Sequence, residues 1–197
     1  DIDMWVKGGF EKVNTYIQNT CPSDDFAYHR FHYDVYKETE VELHFRPTLM
    51  RNLCDNRKLQ KWCNSFTPDT FVLTDKGFAV PPASFNRVFI LTHIYRHFLF
   101  EGVGLRQVMD YFFVLKSDKA SEKEKDEAMC LLEELRMKRF AGAVMWVLYE
   151  CLGLSMDYLL CPPNEKEGRF LLSEIEQTGN FGKEDKRYKG YSKMKMM

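Results

Sequence analysis

Asp1-Ile2-Asp3-Met4-Trp5-Val6 opens the chain, and the fold turns on how this stretch is read. Two carboxylates alternate with apolar residues before an unbroken apolar run. In a strand, the side-chain period of two puts Asp1 and Asp3 on one face. Neighbouring carboxylates repel unless a cation or a proton separates them. A divalent ion with hard oxygen ligands, typically magnesium, is the usual resolution. The plainer reading is an edge strand with a polar face. A third carboxylate on a neighbouring strand decides between the two.

Glu40 to Pro47 offers that carboxylate. In this segment Val41, Leu43 and Phe45 face one way, and Glu42, His44 and Arg46 the other. Pro47 ends the strand because it lacks the donor a ladder needs. Between the two strands lie a Lys7-Gly8-Gly9 turn and a helix over Phe10–Asn19, with Phe10, Val13 and Ile17 at helical spacing. A loop at Cys21–Asp25 follows, then an aromatic-rich extended stretch over Phe26–Tyr36 that turns near Tyr33-Asp34. Three carboxylates on adjoining strands can hold two divalent ions that bridge an attacking oxygen and a triphosphate.

From Asn52 the pattern becomes helical. A short amphipathic helix up to Phe66 carries Leu53, Leu59, Trp62 and Cys63. Turn chemistry with a short extended piece at Thr70–Leu73 precedes Pro81-Pro82, which opens the longest helix, Pro82–Phe100. Gly102 and Gly104 break it before a second helix over Leu105–Leu115. The next starts at the capping box Ser121-Glu122-Lys123-Glu124. A nearly all-apolar helix spans Phe140–Leu152, and a last one Lys166–Gln177. The fold class is therefore α+β, a small mixed sheet followed by a helical lobe of about five helices. The expected divisions are a catalytic portion at 1–50, a helical domain at 51–182 and a basic tail at 183–197.

The net charge of −1 over 197 residues argues against nucleic acid as a general partner. No apolar run is long enough to cross a bilayer, so a soluble cytoplasmic protein is expected. Six cysteines without paired spacing read as reduced thiols, with Cys130 and Cys151 as core filler.

On the helical lobe, His93, His97 and Glu101 recur every fourth residue along one stripe. They fit a polar stripe satisfied between helices, a substrate-facing row, or a two-histidine zinc site that lacks the usual Glu after the first histidine. Arg106 and Asp110, also four apart, fit either a helical ion pair or an Arg fork turned toward a phosphate or carboxylate.

Taken together, Asp1-Ile2-Asp3, Val41–Pro47, His93–His97, Glu101–Gln107 with Asp110, and Gly179-Asn180-Phe181-Gly182 resemble the polymerase-β-like nucleotidyltransferase superfamily. More narrowly, they resemble the bacterial family of uncharacterised nucleotidyltransferases common in Bacteroidetes. The resemblance implies that Asp1, Asp3 and Glu42 bind a pair of Mg²⁺ ions and that Glu42 activates the acceptor hydroxyl. It implies substrate contacts for His44, Arg46, His93, His97, Arg106 and Asp110. It also implies a Gly-Ser or Gly-Gly turn roughly ten residues before the D-x-D, whose amides hold the triphosphate. The chain opens at the D-x-D, so that turn and the sheet's first strand are expected to lie upstream of it, leaving the sheet N-terminally truncated.

The expected function is metal-dependent transfer of a nucleoside monophosphate from an NTP to a hydroxyl-type acceptor, a small molecule by the chain's charge. The alternatives are a catalytically inactive binding or regulatory module on the same fold, or a helical interaction domain with an incidental acidic strand.

Overall fold

Lys7-Gly8-Gly9 turns the chain because both glycines sit at positive φ, 130° and 74°, where a side chain would be strained. The turn joins a strand, β1 (Ile2–Trp5), to a helix, α1 (Gly9–Thr20). This is a computed structural model in which residues 2–100 and 102–178 are described. Asp1, Glu101, the Gly179–Gly182 motif and the tail from Lys183 lie outside the described residues. Two compact units are distinguished, one within Asp1–Leu49 and one within Met50–Lys189.

In the first unit, β2 (Arg30–His32) and β3 (Val41–His44) complete a three-stranded sheet in the order β1-β3-β2. β1 runs parallel to β3 and β2 antiparallel to it, so the sheet is mixed. Alternation along β3 buries Val41, Leu43 and the following Phe45 on one face, where Phe31 joins them from its position opposite Leu43. Helix α1 lays Val13 and Ile17, four residues apart and fully buried, against this face. Phe10 meets Phe45 edge-on, with ring centroids 5.4 Å apart. Burying each such side chain contributes about 1.5–3 kcal/mol. The extended stretch expected over Phe26–Tyr36 contracts to Arg30–His32. Phe26 folds back to bridge Phe31 around a turn in which the Ala27 amide donates to the Arg30 carbonyl at 2.8 Å.

The second unit holds six α-helices among its described residues: α2 (Leu53–Ser65), α3 (Ala83–Phe100), α4 (Leu105–Ser117), α5 (Glu122–Glu134), α6 (Lys138–Trp146) and α7 (Glu165–Thr178). Asn52 caps α2 by accepting from the Cys54 and Asp55 amides at 3.0 and 3.1 Å. Its inward face carries Leu59 and Cys63, while Leu53 is 78 % exposed and lies off it. A two-residue hairpin, β4 (Val72–Leu73) against β5 (Ala79–Val80), stands where only one extended piece was expected. The helix expected over Phe140–Leu152 is α6 continued by one π-helical turn, Val147–Cys151.

Arg87 on α3 is 1 % exposed and ties that helix to the start of α5. Its Nη1 donates to Glu124 Oε1 at 2.8 Å, and its Nη2 to Asp118 Oδ2 at 2.7 Å. Glu124 also accepts from the Ser121 amide at 2.8 Å, closing the capping box predicted from the sequence. A buried guanidinium is tolerable only with such partners.

The six cysteines are all free thiols. The buried one is Cys63, whereas Cys130 and Cys151, expected in the core, are exposed. On α5 the inward residues are Ala128 and Leu132, and Cys130 lies two positions from each, which on a helix is the opposite side.

Candidate active site

The parallel register of β1 and β3 places Asp3 directly beside Glu42. Their side chains emerge on the same face because both strands share the two-residue period. Two backbone bonds fix that register at its ends, Ile2 amide to Glu40 carbonyl (2.8 Å) and Val6 amide to His44 carbonyl (2.9 Å). Glu42 is 6 % exposed, held between Val41 and Leu43 whose side chains point into the core. His44, two residues on, returns to the same face and is also buried. Its Nε2 lies 3.1 Å from Glu42 Oε2 and 3.3 Å from Asp3 Oδ1. One imidazole nitrogen thus stands between two carboxylates from adjacent strands.

β2 adds to this face from the other side. His32 stands opposite Glu42, and Arg30 opposite His44. The Arg30 guanidinium forms an ion pair with Glu42 Oε1. His32 Nδ1 lies 2.9 Å from Glu40 Oε1. The His29 ring packs edge-on against His44, with centroids 5.2 Å apart. Among the described residues, two groups bring three possible ligand atoms within 4.8 Å of one another: Asp3, Glu42 and His44, and His32, Glu40 and Glu42. Carboxylate oxygens with an imidazole nitrogen suit a divalent cation of the Mn²⁺ or Zn²⁺ kind, and the oxygens alone suit Mg²⁺. The donor set therefore fits a divalent ion, with Glu42 common to both groups.

The other expected site residues are distributed differently. Asp1 and Glu101 lie outside the described residues. Arg46 falls past the end of β3; its Nη1 donates to the Tyr28 carbonyl at 2.6 Å and its guanidinium stacks 4.5 Å above the Tyr28 ring. His93 and His97, in the second unit, face each other on α3 with their Nε2 atoms 2.8 Å apart. Arg96 Nη2 lies 3.4 Å from His97 Nε2. At 2.8 Å the two imidazoles share a hydrogen bond, one donating and one accepting. Arg106 and Asp110 on α4 are both exposed, and among the described residues no ion pair joins them.

Arg30, His32 and Glu40 were not anticipated. The signal was present in Arg30-Phe31-His32, a charged-apolar-polar alternation that mirrors Glu42-Leu43-His44. What the sequence withholds is the pairing of the two, because a loop of unspecified path separates them.

A mixed sheet with one face buried by a helix and carboxylates in register on the other defines the class, an α+β protein with a cation-competent sheet site. The chain belongs to the family described as uncharacterised nucleotidyltransferases, whose family model matches residues 1–153. No curated protein and no solved structure matches it. The family's description points to nucleotidyl transfer as the class of activity. No described helix is long and apolar enough to cross a membrane.

Proposed function

We propose that the chain carries the acidic site of a nucleotidyltransferase that moves a nucleoside monophosphate from an NTP to a hydroxyl-bearing small molecule. The observation that carries this is the pairing of Asp3 with Glu42 across parallel strands, both carboxylates within reach of one buried imidazole. Asp3 and Glu42, with Asp1, would hold the divalent ions, whose bound charge neutralises the triphosphate. Glu42 accepts the proton of the attacking hydroxyl, because it is the more buried carboxylate and faces the same side as Asp3. His44 orients both carboxylates through Nε2. Binding then serves mainly to align the acceptor oxygen with the phosphorus. In this reading residues 1–50 are the catalytic portion and 51–182 the helical domain.

One observation favours a second reading, a binding or regulatory module without turnover: the guanidinium of Arg30 already engages Glu42. Incubating the full-length protein with NTPs, Mg²⁺ or Mn²⁺ and a panel of hydroxyl acceptors separates the two. Pyrophosphate release with a nucleotidylated product supports the enzyme. Nucleotide binding without product supports the module, and no binding at millimolar metal sinks both.

A further inference from the structure

Arg30 is a charged side chain of the site to which the reaction above gives no part. It stands opposite His44 across β2 and β3 and pairs with Glu42 Oε1, while His44 Nε2 lies 3.1 Å from Oε2. Both oxygens of this carboxylate therefore have partners. The Arg30 Nε is buried and has no hydrogen-bond partner among the described residues.

A divalent ion and a guanidinium on the same carboxylate, itself only 6 % exposed, would set like charges a few Å apart, where they repel. We infer that Arg30 and the divalent ion are alternative partners of Glu42, and that Arg30, once displaced, binds a phosphate of the nucleotide. The inference rests on the nucleotidyltransferase reading. Arginine cannot shed its proton, so displacement leaves a cation that needs another anion. Its side chain is only 27 % exposed, and its backbone is held in β2, so it stays near the site. A partly buried guanidinium without an anion is unfavourable. The anion that arrives with the metal is phosphate, whose oxygens fit the planar fork in bidentate fashion. Arg30 thereby couples the two ligands: metal frees the guanidinium, and the guanidinium holds the nucleotide.

Manganese titrations followed by the EPR signal of free Mn²⁺ test this, first without nucleotide and then with ATP present. Arg30→Gln is expected to bind Mn²⁺ roughly tenfold more tightly than wild type, a size usual for one coupled charge, and ATP about tenfold more weakly. Arg30→Lys, which keeps the charge without the fork, should match wild type for Mn²⁺ and still lose ATP affinity. An Arg30→Gln variant with unchanged or weaker Mn²⁺ binding overturns this inference alone. Should that variant not fold by circular dichroism, full ATP affinity in Arg30→Lys overturns it instead. A wild-type protein that binds no Mn²⁺ overturns the underlying nucleotidyltransferase reading.

Discussion

Asp3 and Glu42 share a face but not an environment, and their substitutions should separate accordingly. Asp3 has a side chain 58 % exposed, so Asp3→Asn should leave thermal stability within about 0.5 kcal/mol of wild type. Glu42→Gln leaves the Arg30 charge uncompensated beside a buried amide and should cost about 1–3 kcal/mol, read from urea denaturation. Both should lower nucleotidyl transfer in the full-length protein by about 10²–10⁴-fold. Transfer that survives both changes would show the acid assignment to be wrong. Glu42 could be picked out from sequence because an acid flanked by Val41 and Leu43 on a strand must point away from the core. Arg30 and His32 could not, since their place beside Glu42 depends on a strand register that local pattern does not specify.

At the scale of the element, the start of α5 is held by both a capping box and a buried arginine. The Ser121 amide, then Arg87 and the Ser121 hydroxyl, hold the Glu124 carboxyl down from its ordinary 4.5 to about 2. A depressed folded-state value means that the charged form favours folding. That contribution is complete above pH 4.5 and is lost as the pH falls toward 2. Melting temperature should therefore drop over this window in wild type, and the drop should be shallower in Glu124→Gln. Equal slopes would deny Glu124 this role. The helix α7 offers a steric counterpart: a Cβ at Gly168 would lie 2.5 Å from Trp146 Cε3. Gly168→Ala should cost about 1–3 kcal/mol by calorimetry although alanine is the better helix former. The capping box was readable because both its members are local in sequence. The Gly168–Trp146 approach was not, since nothing in either helix alone indicates which face meets the other.

Across the whole molecule, the thiols report on how the chain is packed. Cys54 and Cys130 are exposed and should react with Ellman's reagent within minutes in the native protein. Cys161 should lag, because burial pushes its thiol up to about 11, and Cys63 should react only on unfolding. Rapid reaction of Cys63 would contradict the packing of α2. The α+β division and the acidic strand pair were legible because each rests on periodicity, two for the sheet and 3.6 for the helices. The β4–β5 hairpin was missed because two-residue strands carry no periodicity at all. The register of β1 on β3 has a further meaning for the chain as a lineage. Its chemistry is a matter of parity: inserting one residue between Asp3 and Met4, with the rest of β1 held in register on β3, would turn Asp3 from the His44 face toward α1. Insertions of even length within that strand keep the carboxylate on its face, so drift in this segment should run in steps of two.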